Sequence, residues 1–556
     1  MPRSRRPLAA PGGPEHTRRA VPGLLPGTAL ALALALAGCA PGTTGAAAGA
    51  GGDGPPRAGG TLSVDIASKP LCLDPQNNNS NGNTAVSRQL VDSLTDQDPA
   101  TGQARPWLAS SFEVNDTATE FTFKLRSGAT FSDGQPVDAA AVKANFDTIV
   151  KLGAVAAVGS SYLADYTGTT VLDASTARVT FSQPNAQFLQ ATSTAALGLL
   201  SPASLAGTPQ DRCQGRGLAG SGPFTLKAAA QGEQIQLVRR ADYAWGSSLW
   251  KHQGAAHLDG IDYKVVPESG VQIGSLLSGQ VDAVIGVQAQ DEKQLADGRV
   301  TLLARPVPGV SYNLTANTTN PVLADENVRT ALTRGIDRAE VVSTLLSPNY
   351  KPATSVLSST TPLYADLSAD LSYDPDRARK LLDAAGWAAG GDGVRSKDGA
   401  QLKVKLLYPG VDTASRNVLQ LVQQQLAKIG VKAELAGLPL NELAPAQAAG
   451  TYDLLWFGLT RADPDVLRTA FATGAKNRAR LAAGNELDTL LTRQAATVDQ
   501  NARRDLAAAA QKLIVQKAYS IPVYEQVQAV AFTRDVHGAA LDGSAQPEFY
   551  DTWLSR

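Results

Sequence analysis

Cysteine occurs three times in 556 residues, at Cys39, Cys72 and Cys213, and the surroundings of each set its chemistry. Cys39 closes the order Leu36-Ala37-Gly38-Cys39, behind an apolar run from Ala29 to Gly38 and a leader carrying Arg3, Arg5, Arg6, Arg18 and Arg19. A basic leader, an apolar stretch too short to span a bilayer and small residues before a cut site read as a secretory signal peptide. The cysteine adds the lipoprotein form, with cleavage before Cys39 and lipid on its sulfur. An ordinary buried thiol is the other reading, but no core can form between such a run and the Gly/Ala-rich stretch that follows. Thr17-Arg18-Arg19 leaves Sec and twin-arginine export both open. Cys72 and Cys213 are an even pair on the oxidising side of the membrane, where a disulfide is expected and two separate buried thiols are the alternative.

The other reactive side chains exclude more than they propose. Beyond the leader the histidines are His252, His257 and His537, none in a His-x-x-x-His or Cys-x-x-Cys arrangement, so no metal site is expected. There is no G-x-S-x-G elbow and no Gly-Lys-[Ser/Thr] to close a phosphate loop. Gly220-Ser221-Gly222-Pro223 is better read as a turn, because Pro223 removes a donor where a phosphate needs one. Scattered carboxylates leave a glycosidase pair open. Otherwise no enzyme, and no cofactor, is expected. A chain on the outer face of a membrane has no ATP supply and acts on what diffuses past.

Removing residues 1–38 leaves about 518 residues, more than one core usually organises, so two or more lobes are expected. The whole chain has 50 Lys+Arg and 51 Asp+Glu; without the leader's five Arg and Glu15 the balance falls to −5, which is no nucleic-acid footprint. After Gly38 the apolar runs are strand-length, so the lipid is the only expected anchor. Residues 39–59 read as a lipidated flexible tether.

Strands and amphipathic helices alternate through the body, the pattern of mixed α/β lobes. Phe121, Phe123 and Leu125 share one face of a half-buried strand, and Asp133-Gly134 supplies a turn. Asp138 then caps a helix carrying Val142, Phe146 and Ile149. Leu402, Val404 and Leu406 alternate, Val418, Val422, Leu426 and Ile429 line one helix side, Gly430 ends it, and Val431, Ala433 and Leu435 alternate again. That is a βαβ unit and implies a partly parallel sheet.

On these residues the chain resembles a known family. Pro106-Trp107-Leu108-Ala109, Phe112-Glu113-Val114, Arg126-Ser127-Gly128 and Phe131-Ser132-Asp133-Gly134-Gln135-Pro136-Val137 resemble the signature block of extracellular solute-binding proteins of family 5, the dipeptide, oligopeptide and nickel-binding group of ABC importers. Gly60-Thr61-Leu62 with Leu73-Asp74-Pro75, Gly220 to Phe224, Leu276 to Asp282, Val328 to Leu332 with Ile336-Asp337-Arg338, Tyr373-Asp374-Pro375 through Trp387, and Ile521-Pro522-Val523-Tyr524 continue the likeness in family order. Most of these are turn and core residues. The resemblance implies a type II periplasmic-binding-protein fold of the cluster C type: two lobes joined by a hinge, plus an extra domain. Lobe I is placed at 60–93, 215–313 and 518–556, the extra domain at 94–214 and lobe II at 314–517, with hinge crossings near Asn313 and Ile521. It also implies a lipid-anchored, monomeric receptor on the extracytoplasmic face of the cell membrane, working with an ABC permease and its ATPase subunits.

In the peptide-binding branch of that family an aspartate after the strand similar to Tyr452–Gly458 holds the ligand's ammonium. Here that loop reads Leu459-Thr460-Arg461-Ala462-Asp463-Pro464-Asp465, shorter than the pattern, with Arg461 near the place of the acid. A guanidinium fork suits carboxylate or phosphate, so the expected solute carries an anionic group or is a modified peptide without a free amino terminus. A loop brace between Arg461 and Asp463 or Asp465 is the equal alternative. Thr460 and Asp463 join the candidate set with the loop, Asn78, Asn79, Asn81 and Asn83 sit where a cleft mouth is expected, and Tyr162 and Tyr166 are candidates for a wall from the extra domain. Trp456 and Phe457 are expected as an apolar shelf, with one of the two facing inward. Metal-chelate capture on the same fold, and a peptide-sensing lipoprotein without transport, are the competing functions.

Overall fold

The computed structural model describes residues 54–77, 81–230, 234–296 and 298–556. Cys39 with the leader, most of the tether, and Asn78 and Asn79 lie outside the described residues. Three principal sheets organise the rest. A mixed seven-stranded sheet runs in the order Val300–Pro306, Val527–Thr533, Ala283–Ile285, Thr61–Ile66, Gly260–Val265, Gln234–Arg239, Phe224–Ala230. Its Thr61–Ile66 strand pairs in parallel with both neighbours, and the remaining pairs are antiparallel. A five-stranded sheet has the order Lys432–Leu438, Lys403–Pro409, Leu454–Thr460, Gly309–Ala316, Ser520–Tyr524. A third, antiparallel sheet holds Ala109–Val114, Glu120–Leu125, Thr176–Phe181 and Tyr166–Asp173.

The antiparallel sheet shares one apolar core with the seven-stranded sheet. Phe121 and Phe123 point inward by the period-two rule and meet Phe188, whose ring lies 4.9 Å from that of Phe121. The Ala139–Leu152 helix covers them with Val142, Phe146 and Ile149, and the Asp138 carboxylate accepts the Ala141 N–H at its start. Disulfide-bonded Cys72 and Cys213 tie the loop after Thr61–Ile66 to the end of the Pro209–Cys213 helix. Beside them Asp74 and Arg212 form an ion pair at 2.7 Å with both side chains almost fully enclosed. Gly222 packs against the Leu90 and Val91 backbone, which makes Gly220–Pro223 a close-packed turn.

The five-stranded sheet has apolar clusters on both faces, with Lys432 and Glu434 of its edge strand left exposed. The βαβ unit forms as its spacing requires: Lys403–Pro409 and Lys432–Leu438 run parallel, joined by the Thr413–Ala427 helix, which Asp412 caps through the Ser415 N–H. Gly430, at φ +84°, turns the chain after that helix. Helices carrying Val328, Leu332, Leu382, Val418 and Leu426 cover one face, and Leu467, Phe471, Leu491 and Ile514 cover the other.

The chain changes sheet twice, and the two changes are neighbours. Val300–Pro306 leads through residues 307–308 into Gly309–Ala316, and Ser520–Tyr524 leads through 525–526 into Val527–Thr533. The Val307 N–H donates to the Gln526 carbonyl at 2.7 Å, so the crossings are paired. Asn313 and Ile521, the expected crossing points, lie inside strands of the five-stranded sheet. The switch comes a few residues nearer the seven-stranded sheet because pairing partner, and not composition, decides which sheet a strand joins.

Candidate functional site

Leu454–Thr460 is the central strand of the five-stranded sheet, so its end delivers residues 459–461 to one defined place. Gly309, at φ +126°, lies against that end; a Cβ there would stand 2.0 Å from the Leu459 carbonyl oxygen and 2.7 Å from the Arg461 nitrogen. Only glycine permits that approach. The Arg461 N–H donates to the Pro308 carbonyl at 3.0 Å, which fixes its backbone beside the first crossing.

From there the Arg461 side chain reaches the extra sheet's helices. Its Nη2 donates to Ser161 Oγ at 2.6 Å, and its guanidinium carbon lies 4.1 Å over the Tyr162 ring centroid. Burial raises the Tyr162 phenol above its ordinary value, while the Arg461 charge pulls the other way. Asn81 Nδ2 donates to Thr460 Oγ1 at 3.3 Å. These residues enclose a cavity of about 300 Å³, at the small end for a small-molecule site. Asn81, Thr84, Asp542, Ser544 and Gln546 form one wall, Val158, Tyr162 and Thr194 to Ala196 a second, and Gly458 to Arg461 the third.

Asn81, Tyr162, Thr460 and Arg461 thus meet in one place. Five other candidates do different work. Trp456 is not a shelf: it is 1% exposed, its Nε1 donates to Ser415 Oγ at 2.7 Å, and its ring stacks 5.2 Å from Tyr312 in the core. Phe457, on the opposite face, packs 6.5 Å from Phe471 with the Arg478 guanidinium over it. The expectation that one of the two faces the cleft fails because helices cover both sheet faces. Tyr166 donates to Asp147 Oδ1 at 2.7 Å and packs on Phe181 within the antiparallel sheet, away from the cavity. Asn83 is buried, with its Oδ1 accepting the Leu71 N–H.

Asp463 belongs to the far side of the loop. Arg503 Nη1 and Nη2 donate to its two carboxylate oxygens at 2.9 and 2.7 Å, and neither side chain is more than 7% exposed. Together with Pro464 and Gln190 this pair lines a separate cavity of about 410 Å³. Asp465 takes Arg468 at 2.6 Å. Neither acid braces Arg461, and its in-structure partners are Ser161 and Tyr162.

The sequence reading missed the residues 542–546 altogether. The turn is rigid: Asp542 Oδ1 accepts the N–H groups of Ser544 and Gln546, each at 2.8 Å, the Asp542 N–H donates to the Gln546 carbonyl at 2.9 Å, and Arg305 donates to the Asp542 carbonyl. Asp542-Gly543-Ser544 carries a turn signal, but nothing local links it to a loop some eighty residues earlier. No group of His, Cys, Asp and Glu able to hold a metal ion occurs among the described residues.

With this geometry in hand, known proteins are informative. Residues 103–478 match the family model described as bacterial extracellular solute-binding proteins, family 5, middle. The chain is 26% identical over 509 residues to the probable D,D-dipeptide-binding periplasmic protein DdpA of Escherichia coli K12, covering 89% of this chain and 94% of that one. It is 25% identical over 504 residues to the glutathione-binding protein GsiB of Shigella dysenteriae, covering 85% and 91%. NikA from Brucella suis, solved with Fe(III)-EDTA, superposes with a TM-score of 0.76 at 23% identity over 89% of this chain and all of that one. The fold is that of the type II periplasmic-binding proteins.

Proposed function

Because the chain belongs to the bacterial extracellular solute-binding proteins of family 5, we propose that it is the lipid-anchored solute receptor of an ABC importer, and that its solute is small, peptide-like and anionic. The observation that carries this reading is the cavity between the three sheet systems, with Arg461 at its wall. Arg461 is held by Tyr162 and Ser161, so its fork is oriented before a ligand arrives, which reduces the ordering cost of binding. An incoming carboxylate gains a charge-assisted bond in a partly desolvated place. Because walls from different sheets share the cavity, a solute touching them all favours the closed arrangement by its differential affinity for it. The relatives named for a dipeptide and for glutathione point to the same solute class.

The anchor rests on the Leu36-Ala37-Gly38-Cys39 order, which keeps the body outside the membrane. No helix of the described residues is long and apolar enough to cross a membrane. Native mass spectrometry of the protein purified without denaturation tests the reading. A small acidic solute should be retained by the wild type and lost from Arg461→Ala. A solute retained equally by both, or none retained and no acidic dipeptide bound, overturns it.

A further inference from the structure

Ser358-Ser359-Thr360-Thr361 sets four hydroxyls in a row, and each of them bonds at one of the two backbone crossings. At the first crossing Thr360 Oγ1 donates to the Pro306 carbonyl at 2.8 Å, and Thr361 Oγ1 accepts the Gly309 N–H at 2.8 Å. The Ser358 N–H donates to the Gly309 carbonyl at 2.9 Å, and Leu357 bridges to Val310. Pro306 ends an edge strand of the seven-stranded sheet and Gly309 opens a strand of the five-stranded sheet. Neighbouring hydroxyls therefore hold both ends of residues 307–308.

At the second crossing the same loop meets a carboxylate. Glu525 is 1% exposed; its Oε1 accepts the Ser359 N–H at 2.9 Å, and its Oε2 accepts Ser359 Oγ at 2.8 Å and Ser358 Oγ at 3.4 Å. Among the described residues no basic side chain forms an ion pair with it. Drawing the loop away leaves an enclosed charge short of donors, which costs more than the loss of a neutral hydrogen bond. Neither residues 358–361 nor Glu525 lines the cavity that holds Arg461.

A loop that braced the five-stranded sheet alone would stop at Gly309. Thr360 reaches past the crossing to Pro306, so rotation at 307–308 pulls that carbonyl off its hydroxyl. We propose that residues 358–361 and Glu525 form a latch on the hinge, which favours the closed arrangement and raises solute affinity without touching the solute. The proposal rests on capture by lobe closure and adds to it the residues that set the balance between open and closed forms. Apparent affinity follows the fraction of empty protein that is closed.

Hydrogen–deuterium exchange of the solute-free full-length protein, read by mass spectrometry, tests this. The Ala186 N–H, which donates at 2.8 Å to the Ala495 carbonyl at the end of the Glu486–Ala495 helix, reports opening, and the Leu454–Thr460 strand reports the five-stranded core. Thr360→Val, which keeps the shape and removes the donor, should speed exchange at Ala186 about three- to tenfold and leave the core strand unchanged. Glu525→Gln should act in the same direction at the same amide. Equal exchange at Ala186 in the wild type and both variants overturns the latch. Equal acceleration at Ala186 and in the core strand overturns it too, because a plain brace gives that result. Adding the dipeptide Ala-Glu separates this proposal from the reading beneath it: no slowing of Ala186 in the wild type contradicts capture of an acidic dipeptide by closure, while the solute-free comparison still decides the latch. Either variant that folds is enough for that comparison.

Discussion

Arg461 and Trp456 lie five residues apart, and their surroundings give them opposite roles. Arg461 closes a cavity through contacts that a ligand can join, so Arg461→Ala should weaken an acidic solute by about 10- to 100-fold in calorimetric titration. Losing the Tyr162 contact costs the empty protein only about 1 kcal/mol. Trp456→Ala should instead cost about 3–5 kcal/mol in denaturant unfolding, since the indole fills a core and its N–H is satisfied by Ser415. Asp463→Ala should cost a similar amount, because it leaves Arg503 buried and unpaired. Asp92 gives a pH signature. Burial pushes its carboxyl from an ordinary 3.8 up to about 8, against the pull of Arg88, Trp245 and Tyr243. The folded state then binds the proton more tightly than the unfolded chain does. Its contribution is full below pH 4 and is lost as pH rises towards 8, at up to about 1.4 kcal/mol per unit. Urea unfolding at several pH values should show that fall in the wild type and a flatter profile in Asp92→Asn.

At the scale of elements, periodicity carried much of the information. Alternation at Phe121, Phe123 and Leu125 and the pattern from Leu402 to Leu435 each became the expected strand or βαβ unit, because burial of one face is a local property of sequence. The cap at Asp138 follows from side-chain chemistry one turn away. What was not legible depends on pairing at a distance. Alternation at Trp456 and Phe457 says that the two point oppositely, but only the assembled sheet shows that both faces are covered. Asp542 reached the cavity through the fold alone. Gly309 is the element-scale determinant of the site: Gly309→Ala should cost at least about 2 kcal/mol and weaken solute binding, since the new methyl displaces the strand end that carries Arg461. Replacing both Cys72 and Cys213 by serine should lower stability by about 2–5 kcal/mol while leaving solute affinity within a factor of a few, because the bridge lies outside the cavity.

For the whole molecule, the sheet systems touch across the cavity, as the proposed closed cleft requires. Arg461 reaches Ser161, Gln97 Nε2 donates to the Ala462 carbonyl at 3.0 Å, and the Ala186 N–H donates to the Ala495 carbonyl at 2.8 Å. On the proposed reading, the two adjacent backbone crossings at 307–308 and 525–526 would serve as the hinge, where a few dihedral changes move large rigid bodies. Cys39→Ser should release the protein from membranes without changing solute affinity, as membrane fractionation and titration of the soluble form would show. Small-angle X-ray scattering of the stripped protein, with and without its retained solute, tests the central claim most directly. The account predicts an expanded curve for the empty protein that contracts, on saturation, to the curve of the closed structure. Identical curves across a titration in which the solute demonstrably binds would contradict capture by lobe closure.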